Sequence, residues 1–272
     1  EILDNLDDES YEVSSVKEGQ KKRNPYPPFT TSSLQQEAAN RLGYSTKKTM
    51  LLAQQLYEGI DIKGEGTLGL ITYIRTDSMR ISEDAQKGAS KYIEEHFSRD
   101  YLGKQKQYGS KKQAQDAHEA IRPTSVERTP DQIKSSLSKD QYKLYKFIWE
   151  RFLASQMESA VYNTYKVDIK NNDYIFKASG SKLNFDGFLK VYSYVSIAKD
   201  EIIPKVVKLQ KLNLDNIEPK QHFTKPPARF TEASLVKELE EKNIGRPSTY
   251  VPIITTILSR GYVERENKSL KP

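Results

Sequence analysis

The chain has 272 residues, with 43 Lys and Arg against 37 Asp and Glu, a formal net charge of +6 and no cysteine. That length can bury a sizeable core divided into two or three domains. The missing cysteines exclude disulfides and thiolate metal sites, and no run of roughly 18 apolar residues offers a membrane span. The acidic, polar start is no secretory leader, and the basic excess suits a polyanionic partner.

In chain order, Tyr11 to Lys17 alternates as a strand, Glu18-Gly19 signals a turn, and Pro25, Pro27 and Pro28 enforce an extended linker. Helical patterning begins at Ser33, read as a capping box with Gln36, and runs through Leu34, Ala38 and Leu42 to a stop at Gly43. Ser45 caps a second helix carrying Met50, Leu51, Ala53, Gln54 and Tyr57, ended by Gly59, so the pair resembles a helix-turn-helix. Ser82 caps a third helix through Ala85, Ala89, Ile93 and Phe97, with Glu83 and Asp84 favourable in its first turn. Between Asp100 and Asp116, Lys104, Lys106, Lys111 and Lys112 mark a mobile basic loop. Helical patterning resumes at Pro130 to Gln132 and from Lys139 to Met157, with Leu144, Phe147, Ile148 and Phe152 on one stripe and Trp149 in the core. From Val161 the period drops to two, Asn171-Asn172-Asp173 signals a hairpin, Tyr174 to Lys177 follows as a strand, and Phe188 to Tyr194 reads as another. Thr231 caps a helix holding Leu235, Val236 and Leu239; Gly245 turns the chain; Pro247 and Ser248 open a helix through Ile253, Ile254 and Leu258; and Tyr262-Val263 begins a strand. That last order is that of a winged helix, which can set a helix against nucleic acid. The chain begins at Glu1 rather than Met and stops at Lys271-Pro272 just after an expected strand, and so reads as an excised piece of something larger.

Two segments carry the chemistry. Leu70-Ile71-Thr72-Tyr73-Ile74-Arg75-Thr76-Asp77-Ser78, read as extended, puts Leu70, Thr72 and Ile74 on one face and Ile71, Tyr73 and Arg75 on the other. A phenol beside a fixed cation suits attack on a phosphodiester: nearby positive charge offsets a pKa near 10, and a guanidinium grips phosphate oxygens in pairs. A Tyr and an Arg on one strand can equally be a packing pair. Ala117-His118-Glu119-Ala120-Ile121-Arg122-Pro123 places His118 and Arg122 four apart, on one face if helical, with Pro123 ending the turn. An Arg at 122 excludes the His-Glu-x-x-His zinc signature, and the His and Arg together suit an anion such as phosphate.

These two segments resemble motifs of the type IA DNA topoisomerases, most closely the bacterial topoisomerase I branch. Pro28-Phe29-Thr30-Thr31-Ser32 into Leu34-Gln35-Gln36 looks like the family's segment ahead of the catalytic region. Pro226 to Val236 and Gly245-Arg246-Pro247-Ser248-Thr249-Tyr250 look like its later DNA-binding region. The resemblance implies an α+β, mostly helical fold. In it a β-rich arch domain (residues 1–32 and 159–225) is interrupted by an inserted, winged-helix-like helical domain carrying the nucleophilic tyrosine (33–158), followed by a partial helical, winged-helix-like single-stranded-DNA-binding domain (226–272).

By the same resemblance Tyr73 is the nucleophile and Arg75 positions the scissile phosphate. His118 and Arg122 bind the backbone near the break, and Asp77 orients Arg75 or caps the turn at Ser78. Arg229, Arg246, Ser248 and Thr249 are candidates for DNA contacts, although two helix caps and surface charge would account for them too. The implied partners are single-stranded DNA and negatively supercoiled duplex, with no membrane, a monomeric protein and a cytoplasmic, nucleoid-associated location. The implied cofactor is Mg2+, held in the family by an acidic Toprim domain with an Asp-x-Asp pattern; that pattern does not occur in this sequence, so the ligands are expected outside this chain. Two other readings stay open. One is a non-enzymatic winged-helix DNA-binding module. The other is a tyrosine recombinase or type IB enzyme, disfavoured because Tyr73 precedes His118 and Arg122 rather than following them.

Overall fold

The computed structural model describes residues 2–7, 9–104, 118–196 and 200–272. The chain combines helices with antiparallel sheets and divides into two compact units: residues 1–24, 159–189 and 196–226 form one, and residues 25–158, 190–195 and 227–272 the other. The basic loop expected after Asp100 lies for the most part outside the described residues.

The first unit is a four-stranded antiparallel sheet. Its strands are β1 (Tyr11–Arg23), β4 (Ala160–Asn171), β5 (Tyr174–Phe185) and the short β6 (Lys211–Leu212), in the order β5-β4-β1-β6. Strand β1 does not turn at Glu18-Gly19 as expected. Gly19 pairs with Thr164 and the ladder continues to Arg23 opposite Ala160, because β4 offers an unbroken row of partners that outweighs the local turn signal. The β4–β5 hairpin does turn at Asn172, whose φ of +50° an asparagine tolerates. Segment 188–194 is not a strand. A 3-10 turn over Gly187–Lys190 starts at a glycine with φ +49°, and the following tyrosines are taken up by side-chain packing in the second unit.

The second unit is helical: α1 (Thr31–Arg41), α2 (Thr46–Glu58), α3 (Glu83–His96), α4 (Lys139–Gln156), α5 (Glu232–Glu241) and α6 (Tyr250–Ser259), with small hairpins β2–β3 (Ile60–Ile62, Gly66–Leu68) and β7–β8 (Glu264–Glu266, Ser269–Lys271). Its centre is α4, whose Leu144, Phe147, Ile148, Phe152 and Leu153 are all buried. Phe147 packs 4.9 Å from Phe29 and 4.6 Å from Tyr194 between ring centroids. Arg151 is buried here. Its Nε donates to the Pro27 carbonyl at 2.6 Å and its Nη1 to the Tyr192 hydroxyl at 3.0 Å, while the guanidinium lies over the Tyr26, Phe29 and Tyr192 rings, so the buried charge meets two acceptors and three ring faces.

Two helix starts and one cap differ from the sequence reading. α1 begins at Thr31 because Thr30, not Ser33, is the cap: its hydroxyl accepts from the Ser33 amide and the Ser33 hydroxyl accepts from the Thr30 amide. α6 begins at Tyr250 rather than Pro247. Ser82 precedes α3 but its hydroxyl accepts from Arg122 instead of a helix amide. In α2 the buried stripe is Thr49, Leu52, Ala53 and Leu56, leaving Leu51 and Tyr57 exposed. α5, α6 and the β7–β8 hairpin follow in winged-helix order around Val236, Leu239, Tyr250 and Ile254.

Candidate active site

Segment 69–80 is pinned at both ends by backbone and threonine hydrogen bonds. At one end Thr31, fully buried at the first turn of α1, donates its hydroxyl to the Ile74 carbonyl at 2.7 Å and accepts from the Thr76 amide at 2.8 Å, while its own amide donates to the Thr76 carbonyl at 2.9 Å. At the other end Thr72 does the same with segment 120–124: its hydroxyl donates to the Ala120 carbonyl at 2.7 Å and accepts from the Arg122 amide at 3.0 Å. The Thr72 amide donates to the Arg122 carbonyl at 2.9 Å, and the Thr124 amide to the Leu70 carbonyl at 2.9 Å. Ile71 bridges Pro123 and Phe29 bridges Ile121.

This pinning sets which side chains emerge. Ile74, Thr76 and Ser78 point into the core; Tyr73 and Arg75 alternate with them and are exposed, Tyr73 to 39%. The shared face read for Tyr73 and Arg75 therefore agrees with the structure. Ile71, read onto the same face, is buried instead, because the chain pairs with Pro123 at that point. Among the described residues Arg75 makes no ion pair, so its guanidinium is available to an anion.

His118 reaches Tyr73, but not from a helix. Residues 118–124 are extended and pair with the tyrosine segment, which brings the His118 ring to 5.2 Å from the Tyr73 ring at 36°. The helical face expected to join His118 and Arg122 does not exist, because the carbonyls and amides of this segment are used across to segment 69–80. Arg122 is mostly covered and committed. Its Nε and Nη2 both meet Glu119 Oε2 at 2.7 Å, its Nη1 donates to the Pro123 carbonyl at 3.0 Å, and Nη2 also reaches the Ser82 hydroxyl at 3.3 Å. It braces the segment that carries His118.

Asp77 does not cap the turn at Ser78; the Thr76 hydroxyl takes the Ser78 amide at 3.0 Å. Asp77 is instead felt at Tyr250, whose phenol is pushed up by burial and by the negative charges of Glu240 and Asp77, with Arg246 opposing. The end of the tyrosine motif and the start of α6 therefore share one electrostatic neighbourhood. Arg246 is exposed and donates to the Gly245 carbonyl at 3.0 Å; the Thr249 hydroxyl accepts from the Arg246 amide at 2.8 Å and so shapes the approach to α6. Ser248 and Arg229 are exposed. Nothing in the geometry brings Arg229, Ser248 or Thr249 to Tyr73.

The helical neighbours are tied by carboxylates. Glu232, at the start of α5 and 8% exposed, accepts from the amide and hydroxyl of Thr46, at 2.7 and 2.9 Å, and pairs with Arg265. Its charge thus sits at the N-terminus of α2, where the helix dipole favours an anion. Glu240 accepts from the Ser32 hydroxyl at 2.6 Å. Residue type and spacing do not mark Thr31, Thr72, Tyr57, Glu232 or Glu240 as site residues. Thr31 and Thr72 stand inside the quoted motifs, but their roles depend on partners about 45 residues away.

Among the described residues no group of three or more His, Cys, Asp or Glu side chains is placed to hold a metal ion, and no helix is long and apolar enough to cross a membrane. The family model described as DNA topoisomerase matches residues 1–272. The full-length topoisomerase I of Thermotoga maritima is similar in structure, with a TM-score of 0.85 and 38% identity over 100% of this chain and 44% of that one. With the whole chain matched by the family model and by a similar solved structure, and with Tyr73 of the tyrosine motif exposed, the protein belongs to the bacterial type IA DNA topoisomerase family.

Proposed function

We propose that this chain supplies the tyrosine side of the strand-cleavage centre of a type IA topoisomerase. The Tyr73 oxygen attacks a phosphodiester of single-stranded DNA: a bond forms from the phenol oxygen to phosphorus, the bond to the 3′ oxygen breaks, the phenol loses its proton and the departing 3′ oxygen gains one. The product is a 5′-phosphotyrosyl link and a free 3′-hydroxyl. The ester retains the energy of the broken bond, so resealing needs no ATP. A second strand passes while the break is open, and negative supercoils relax.

Arg75 holds the non-bridging oxygens as charge gathers on phosphorus. His118, against the Tyr73 ring, reaches the backbone near the break, and Arg122 orients the His118 segment. Arg229, Arg246, Ser248, Thr249 and Asp77 line the approach of the strand, with exposed aromatics such as Phe230 and Tyr262 offering faces for base stacking. The sheet unit corresponds to the β-rich arch domain of the family. Magnesium, which the family implies, finds no group of three or more His, Cys, Asp or Glu side chains to hold it among the described residues. The protein works as a monomer in the cytoplasm, at the nucleoid.

The observation that carries this reading is the exposed Tyr73 phenol two residues from an exposed Arg75 that makes no ion pair among the described residues, on a segment whose backbone is held by Thr31 and Thr72. The chain spans 44% of the Thermotoga maritima protein, so two preparations test it. The chain alone is expected to bind single-stranded oligonucleotides without relaxing supercoiled plasmid. The full-length enzyme that carries it is expected to leave a covalent adduct with labelled single-stranded DNA after denaturation, lost in Tyr73→Phe. No adduct from the full-length enzyme would assign the chain to a binding module instead.

A further inference from the structure

Tyr57 stands 16 positions before Tyr73 in the sequence, yet the two rings touch, with centroids 5.6 Å apart at 68°, an edge-on contact. Tyr57 is on the last turn of α2 and is itself 38% exposed, so burial of its own ring is not what holds it there. Three features of the backbone build this contact. The β2–β3 hairpin folds the intervening residues out and returns the chain to the end of α2. The Leu70 amide donates to the Leu56 carbonyl at 2.8 Å, which fastens the tyrosine segment to the helix end. Gly69 passes so close to that end that a Cβ there would lie 2.8 Å from the Tyr57 carbonyl oxygen. A side chain at 69 would push the segment off the helix.

The result is a Tyr73 ring in contact with two others, the Tyr57 ring at 5.6 Å and the His118 ring at 5.2 Å. We infer that Tyr57 is a positioning residue for Tyr73: its ring restricts the nucleophile's ring to one orientation before DNA arrives. This rests on the reading of Tyr73 as the nucleophile. The physical case is that a side chain exposed to 39% would otherwise sample several rotamers, each misplacing the attacking oxygen by ångströms. Aromatic edge contacts are strong enough to select one of them.

The part played by the ring, as opposed to the hydroxyl, fixes the test. The chain is labelled with 3-fluorotyrosine, and the Tyr73 resonance is identified by its loss in Tyr73→Phe. Tyr57→Leu is expected to shift and sharpen that resonance as the ring-current neighbour goes and the ring becomes free, while Tyr57→Phe leaves it in place. Buried tyrosines such as Tyr145, unmoved in both variants, report that the fold is intact. In the full-length enzyme, Tyr57→Leu is expected to lower the maximal rate of adduct formation about tenfold with half-saturating DNA unchanged, and Tyr57→Phe to restore it. A Tyr73 resonance indifferent to Tyr57→Leu would overturn the inference, as would a Phe variant as slow as the Leu variant, which would point to the hydroxyl. Absence of any Tyr73-dependent adduct in the unmutated enzyme would overturn the nucleophile reading itself, and is told apart by a fluorine signal that still responds to Tyr57.

Discussion

Gly69→Ala and Gly88→Ala are the same chemical change with opposite expected signs. Gly69 has no positive φ, so the objection to a side chain there is purely steric: the added Cβ would stand 2.8 Å from the Tyr57 carbonyl oxygen, where ordinary contact begins at 3.4 Å. Relieving it moves the tyrosine segment away from α2 by about 0.6 Å. That stretches the 2.8 Å bond from the Leu70 amide to the Leu56 carbonyl to about 3.4 Å, past the useful range for an N–H donor. One lost backbone bond and the accompanying strain cost about 1–3 kcal/mol. Gly88 lies inside α3, and its added Cβ would meet nothing nearer than Val126 at 4.0 Å. There alanine restricts the unfolded chain and stabilises by about 0.5–1 kcal/mol. Thermal unfolding of both variants, converted at about 2–4 °C per kcal/mol for a chain of this size, should separate them in opposite directions. Hydrogen exchange at the Leu70 amide should accelerate only in Gly69→Ala. A Gly69→Ala protein that melts with the unmutated chain and keeps Leu70 protected would refute the close approach on which the Tyr57–Tyr73 contact depends.

Glu232→Ala removes the acceptor of the Thr46 amide and hydroxyl and the partner of Arg265; calorimetry should find a loss of about 2–4 kcal/mol, most of it recovered by Glu232→Gln, which keeps one acceptor oxygen. Glu150 is buried and its carboxyl is pushed up by desolvation, against bonds from the Ser193 amide and hydroxyl and from Lys146. A folded-state pKa above the unfolded value contributes stability that is complete at acid pH and lost as pH rises through it. Glu150→Gln should therefore match the unmutated protein near the ordinary carboxylate pKa and exceed it in melting temperature at neutral pH; a difference that does not change with pH would contradict this.

Much of the site was legible in the sequence, because short-range rules governed it. The alternation that exposes Tyr73 and Arg75 and buries Ile74 needs only an extended backbone, and the amphipathic stripe of α4 needs only the helical period. Helix order, the Asn172 hairpin and the stops at Gly43 and Gly59 followed from local φ preferences. Where local rules met a long-range partner, the partner prevailed. Gly19 stayed in a strand because β4 was there to pair with it. Residues 118–124 became extended because segment 69–80 offered them hydrogen bonds.

Residue types, spacing and the resemblance of the motifs to a known family together pointed to that family and singled out Tyr73 and Arg75. Tertiary structure alone decided what surrounds them. It seated His118 and Tyr57 against Tyr73, committed Arg122 to Glu119, put Glu232 on the start of α2 and brought Asp77 into the field at Tyr250. The physical reason is that a side chain's intrinsic chemistry travels with it along the chain. Its protonation, orientation and partners are set by groups that only folding brings within a few ångströms.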